Sequence, residues 1–141
     1  MSQNEFREIL GKYKVIAVVG LSKEVGKHSH RVAAYLKKHC YRIIPVNPFI
    51  GEVFGEKSYK SLLEVPVEIQ KTIDIVDIFR KSEDVPPIVE QAIKLKQRFG
   101  RPFVVWMQVG IGNEAAAEAA RRAGLVVVRD KCFMAEHLHS R

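Results

Sequence analysis

The chain has 141 residues, 47% hydrophobic and 28% charged, with 9 Gly and 6 Pro, which fits one globular domain and excludes a fibre or a disordered tail. Its 23 Lys and Arg against 16 Asp and Glu leave a net charge of +7, but these residues are scattered apart from pairs such as Lys37 with Lys38 and Arg121 with Arg122, so solvated helix faces are expected and nucleic acid is not. No apolar run reaches membrane-helix length, the opening MSQNEFREIL lacks a secretory layout, and Cys40 and Cys132 stand outside any zinc or redox spacing, so a cytoplasmic protein with two free thiols, no bound metal and no membrane partner is expected.

An amphipathic helix is predicted over about residues 3 to 12, followed by a buried strand, Lys14-Val15-Ile16-Ala17-Val18-Val19-Gly20. After the polar stretch Leu21 to His28, Val32, Ala33, Tyr35 and Leu36 recur at helical spacing, with Lys37, Lys38 and His39 suited to a carboxyl end. The β-branched run from Arg42 to Pro48 predicts a second strand, although Pro45 removes a donor from its ladder. Phe49 to Val67, with Gly51 and Gly55, is expected to be a loop with a short strand near Lys57 to Tyr59 and one helical turn around Ser61 to Leu63.

Ile73 to Phe79 predicts a third strand, followed by Arg80 and a helix with Val85, Ile88, Val89, Ala92 and Ile93 on one stripe. Asp84 is a candidate cap for that helix, and Pro86 and Pro87 fit its first turn, where no intrahelical bond is lost. Phe103 to Met107 is a fourth strand, and Asn113 caps an Ala-rich helix, Glu114 to Ala123, that Gly124 stops. Leu125 to Val128 is a fifth strand, and Met134 to Leu138 closes the chain as a short helix.

The alternation predicts an α/β fold: a single domain over residues 1–141 with a doubly wound, mainly parallel sheet of five to six strands and helices on both faces. Ligands of such sheets lie beyond the carboxyl ends of the strands, where the strand order reverses. The first of these ends reads Gly20-Leu21-Ser22, with Gly26 and Lys27 before the next helix, a turn that suits phosphate. Ser22 and Val25 occupy two glycine positions of the dinucleotide fingerprint, and Val46-Asn47-Pro48 carries no carboxylate for a ribose. An ordinary NAD site is therefore disfavoured, and NADP with help from Lys57 or Lys60 remains an alternative.

The segments AVVGLS, RVAAYL, IIPVNP, DIVDIFRKSEDVP, VVWMQVGIGNEAAAEAARRAG and DKCFMAEH follow the pattern of the small stand-alone CoA-binding proteins. The likeness covers nearly the whole chain after Tyr13 and extends to the amino-terminal domain of the succinyl-CoA synthetase α subunit. It implies a Rossmann-like domain that binds coenzyme A or an acyl-CoA, with Gly20, Leu21 and Ser22 around the phosphates and Lys27 and His28 adding positive charge. It further implies that Val46, Asn47 and Pro48 border the adenosine, Phe79 and Arg80 close the crevice, and Gln108 and Gly110 approach the pantetheine. Lys27 and Arg80 are the charges expected to matter most. Lys27 stands where the family often has Arg, and His28 and Ser82 where it often has Pro, so the phosphate clamp lacks a guanidinium fork in this loop.

Cys132, Glu136 and His137 resemble a thiol with a base, but the thiol and imidazole lie five residues apart with no third orienting group. His28 and His30 flank the phosphate loop as polar contacts, and Asp74 and Asp77, at odd spacing, cannot form a carboxylate pair. A binding module without catalytic residues of its own is expected, since the synthetases perform their chemistry with a further domain. The alternatives are an enzyme acting on a CoA thioester or thiol through Cys132, and an NADP-binding oxidoreductase; the oligomeric state is left open.

Overall fold

The computed structural model describes residues 1–140. Its five main strands, β1 (Val15–Val19), β2 (Arg42–Val46), β5 (Ile75–Ile78), β6 (Val104–Met107) and β7 (Val126–Val128), form one parallel sheet in the order β2-β1-β5-β6-β7. Helices α1 (Gln3–Lys12), α2 (His28–Lys38) and α6 (Phe133–Ser140) cover one face, and α4 (Val85–Phe99) and α5 (Glu114–Arg122) cover the other. This is the Rossmann-like α/β architecture expected from the strand and helix alternation. None of the described helices is long and apolar enough to cross a membrane.

Apart from Asp77 on β5, each central strand is apolar on both faces because each face is roofed by helices. Ala17, Val19, Ile44, Val46, Val76, Ile78, Val105 and Met107 pack toward α4 and α5. Their neighbours Ile16, Val18, Ile43, Ile75, Val104 and Trp106 pack toward α1, α2 and α6, the two-residue alternation of a pleated strand.

The helix ends follow local chemistry. Ser2 and Glu5 form a reciprocal capping box at α1, and Asn113 accepts from the Ala116 N–H at 3.0 Å, each satisfying a donor that the first turn leaves over. Asp84 stands at the amino end of α4 but makes no side-chain cap. Its carboxylate instead pairs with Arg80 Nη2 at 3.2 Å, a correction that matters for the site.

Pro45 is accommodated because β2 is an edge strand paired only with β1. The Pro45 carbonyl accepts from the Tyr59 N–H at 3.1 Å, so this residue's backbone polar groups point to the open side of β2 and the ladder to β1 loses nothing.

The Phe49 to Val67 segment holds the helical turn expected around Ser61 to Leu63, as a 3₁₀ turn at Leu62–Glu64, and more strand than the one expected. It contains a hairpin of β3 (Glu52–Val53) and β4 (Glu56–Lys57) turned by Phe54 and Gly55 at positive φ. A 3₁₀ turn follows at Leu62–Glu64, then a short helix, α3 (Val67–Gln70), that sequence periodicity did not show. Val46 bridges to Tyr59 in parallel, which lays this segment along the carboxyl end of β2.

Candidate functional site

From β1 the chain moves outward to β2 and then returns past β1 to β5, so the strand order reverses between β1 and β5. At that point Gly20 ends β1 with φ +90°, and a Cβ there would lie 3.0 Å from Arg80 Cδ and 3.2 Å from the carbonyl carbon and oxygen of Phe79. Glycine is therefore required on both backbone and steric grounds.

A cavity of about 260 Å³ opens beside this contact. Gly20, Val46, Pro48 and Arg80, four of the residues singled out from the sequence, line it, together with Lys60, Ser61 and Gln91. Its walls carry both signs, Arg80 and Lys60 against Glu83 and Asp84, and Asp84 holds the Arg80 guanidinium across one turn. A larger depression of about 710 Å³ runs along α1 between Asn4 and Lys12. It is lined by one helix, which leads into the amino end of β1, and is an open surface dip rather than a crevice.

Asn47 ties the rim together. Its Nδ2 donates to the Leu21 carbonyl at 2.9 Å and its Oδ1 accepts from the Phe49 N–H at 2.9 Å. Its own N–H donates to the Tyr59 carbonyl at 2.8 Å, and its carbonyl accepts from Ser58 Oγ at 3.1 Å. Every polar group of Asn47 is engaged and 9% of its surface is exposed, so it holds the loops that carry Leu21, Phe49 and Tyr59 in place. Leu21 is fully buried and likewise contributes packing plus the carbonyl that Asn47 uses.

The rest of the first loop faces the other side of the β1 end. Ser22 Oγ accepts from the Glu24 N–H at 3.0 Å, its N–H donates to Ser29 Oγ at 3.0 Å, and its carbonyl pairs with His30 Nδ1 at 3.0 Å. Lys27 lies outside the cavity, in an exposed pair 4.0 Å from Glu24, a contact of small energetic weight. The expectation that Lys27 ranks with Arg80 is thus not reflected in their placement; Lys60 shares the cavity with Arg80.

His28 sits against the Phe79 ring, with centroids 5.9 Å apart, and its Nε2 lies 3.7 Å from Cys132 Sγ. The base beside the thiol is therefore His28. His137, the partner suggested by sequence proximity, bonds instead to the Tyr35 hydroxyl at 2.7 Å. Ser82, at a position where the family often has proline, accepts from the Gly112 N–H at 3.1 Å and so ties the β6–α5 loop to the start of α4.

Gln108 is 1% exposed, below the rim, and its Nε2 donates to Asp77 Oδ1 at 2.6 Å. Gly110 is exposed at φ +80°, with its N–H bound to Asp130 Oδ1 at 2.7 Å. The fully buried Asp77 has its carboxyl pushed up to about 8 by desolvation, a shift that the Gln108 hydrogen bond only partly opposes. Asp77 Oδ2 and Gln108 Oε1 are both buried without a partner. A neutral carboxyl at this position avoids leaving an unpaired charge in the core. Asp74, by contrast, accepts from the Lys14 and Val15 N–H groups at 3.1 and 3.2 Å at the far end of the sheet.

A family model described as a CoA binding domain matches residues 14–138. The Bacillus subtilis protein YneT is 39% identical over 136 residues, covering 96% of this chain and 94% of that protein. A hypothetical protein from Pyrococcus horikoshii has a solved structure that superimposes with a TM-score of 0.89 at 39% identity, covering 99% of this chain and 92% of that one. The acetate–CoA ligase [ADP-forming] of Methanocaldococcus jannaschii is 29% identical over 130 residues, and these span 89% of this chain and 18% of the ligase.

Proposed function

The chain belongs to the CoA binding domain family, and from that premise we propose that it binds coenzyme A, free or acylated, across the carboxyl rim of the sheet without transforming it. The observation that carries this reading is the strand-order reversal at Gly20, where backbone closes on backbone beside a cavity walled by Lys60 and Arg80. Such reversal points take nucleotides in open parallel sheets, and a polyphosphate would draw Lys60 and Arg80 to it against the Glu83 and Asp84 carboxylates that line the same cavity.

At about 260 Å³ the cavity falls below the ~300–1,000 Å³ of complete small-molecule sites. It therefore takes one end of a long ligand. The nucleotide is assigned to the Lys60 and Arg80 side, and the thiol arm crosses Gly20 toward His28 and Cys132.

Titration calorimetry tests the reading. CoA is expected to release heat and raise the melting temperature, and NADP to do neither. Arg80→Gln is expected to weaken CoA by about tenfold or more, the effect of losing one charge-assisted hydrogen bond. A response to NADP and none to CoA would overturn the assignment in favour of a nicotinamide enzyme.

A second reading, thiol chemistry on the ligand, is favoured by the 3.7 Å separation of Cys132 Sγ and His28 Nε2. His28 would take the thiol proton, the Cys132 sulfur would attack CoA disulfide, and one CoA thiolate would leave as a mixed disulfide forms. In a Cys40→Ala background, which removes the other free thiol, incubation with CoA disulfide should then add the mass of one CoA to the protein with Cys132 and none to the Cys132→Ala variant. An unmodified wild type rules this chemistry out.

A further inference from the structure

We propose that the junction of the first and last helices, between Arg7, Lys14 and Ser140, is a binding site for a phosphate-class oxyanion, separate from the carboxyl rim. A cavity of about 190 Å³ opens where α1 meets α6, lined by Arg7, Leu10, Gly11, Lys14, His137 and Ser140. Because α1 leads into the amino end of β1, this cavity and the Gly20 turn lie at opposite ends of the sheet.

The charged walls have one sign. Arg7, Lys14 and His137 are basic, and no carboxylate lines the cavity among the described residues. Neither Arg7 nor Lys14 takes part in an ion pair among those residues. Asp74, which accepts from the Lys14 N–H, is itself paired with Arg101 at 3.5 Å. Both helices end here, at Lys12 and Ser140, and the carbonyl end of a helix carries about half a negative charge. Two such ends offset one of the two full charges on Arg7 and Lys14, so positive charge remains for an incoming anion.

The basic groups are held before any ligand arrives. Arg7 Nε donates to the Ser140 carbonyl at 3.3 Å, which leaves its Nη groups to an anion. Lys14 Nζ lies 4.4 Å from the Tyr41 ring centroid, and the Tyr41 hydroxyl is fixed on the Leu10 carbonyl. The His137 ring is held by the Tyr35 hydroxyl at 2.7 Å. Donors already ordered lose less entropy on binding.

Two further observations point to a ligand. Ser140 Oγ is buried without a hydrogen-bond partner, a rare state for a hydroxyl, and an oxyanion would accept from it. Gly11 stands within α1, where glycine weakens a helix relative to alanine. Its φ is outside the left-handed region and a Cβ there would meet nothing within 4 Å, so neither backbone nor packing calls for glycine, and the absent side chain keeps the wall open.

At about 190 Å³ the cavity is smaller than the ~300–1,000 Å³ of complete small-molecule sites, which suits one small ion or terminal group rather than a nucleotide. Its donors come from three segments, Arg7 on α1, Lys14 before β1 and Ser140 on α6. Such an arrangement surrounds a tetrahedral group, whereas a planar carboxylate is matched by two parallel donors. The bound anion ties the first helix to the last, beside the Arg7 to Ser140 bond.

The test is an amide NMR titration with inorganic phosphate, against sodium chloride at equal ionic strength. Phosphate is expected to shift the Gly11 and Ser140 amides saturably, and chloride is not. Arg7→Gln and Lys14→Gln are each expected to weaken that response by about tenfold or more, the loss of one charge-assisted contact. Both side chains are exposed, so the variants keep the fold; Arg98→Gln, the same charge change on α4, should leave the response intact. Methyl phosphate separates the sources: saturation by both ligands assigns the site to phosphate monoesters as well as the free ion, and saturation by inorganic phosphate alone to the free ion. Wild-type affinity in both Arg7→Gln and Lys14→Gln, shifts confined to the Gly20 end of the sheet, an unsaturable response, or saturation by acetate in place of phosphate overturns the proposal. CoA binding stands or falls separately, because its residues lie at the other rim.

Discussion

Asp77→Asn should raise the free energy of unfolding by about 4 kcal/mol at pH 7 and abolish most of the protein's pH dependence between about pH 4 and pH 8. The Asp77 carboxyl is held neutral by complete burial, with its folded value raised from 3.8 to about 8. Because the folded value is the higher, the unfolded chain loses this proton first as pH rises. The stabilisation is complete below pH 4, falls as pH rises toward 8, and is spent above it. About three pH units separate pH 7 from the unfolded value, and each is worth ~1.4 kcal/mol.

An amide at this position carries no charge at any pH. It also keeps an oxygen to accept from Gln108 Nε2. Urea denaturation of both proteins at pH 4.5, 6, 7.5 and 9 checks this. If the wild type is equally stable across that range, or the variant gains nothing at pH 7.5, Asp77 is not a buried neutral acid.

Gly20→Ala should destabilise the fold by about 2–3 kcal/mol and weaken CoA more than tenfold. At φ +90° an L-residue carries about 1–2 kcal/mol of backbone strain. The added methyl also meets the Phe79 carbonyl group at 3.2 Å, a backbone group just past the end of β5 that cannot swing away as a side chain can. Its contact with Arg80 Cδ at 3.0 Å is relieved only by moving the arginine, which draws its guanidinium from the cavity wall.

Gly26→Ala is the matched control, since a Cβ at Gly26 meets nothing within 4 Å and its φ is not in the left-handed region. Melting temperature and CoA titration should separate the two variants cleanly. Wild-type affinity in Gly20→Ala would remove the β1 turn from the site.

The sheet and its helices were legible because their signals are local. Val15 to Val19 and Val104 to Met107 are strand-length apolar runs, and the Val85 and Ala116 helices carry a single apolar stripe and recognisable caps or breakers. The Glu52–Lys57 hairpin and the Val67–Gln70 helix were missed because elements of two to four residues are shorter than any period they could display. Asp84 misled for a different reason: a side chain that can cap can also pair, and Arg80 four residues earlier won it.

At the site, the sequence by itself determined that a glycine turn, a Val-Asn-Pro strand end and a Phe-Arg strand end would meet, since parallel strands joined by right-handed crossovers must bring their carboxyl ends to one rim. Only the tertiary structure decided what each residue does there. It tied Asn47 to the Leu21 carbonyl, left Lys27 on the surface, brought Lys60 and Ser61 beside Arg80, set His28 against Cys132, and closed Gln108 over Asp77 beneath the rim. The reason is one of range. Periodicity and capping are set by neighbours within a few residues, whereas hydrogen-bond partners, desolvation and the walls of a cavity are set by residues that become neighbours when the sheet forms.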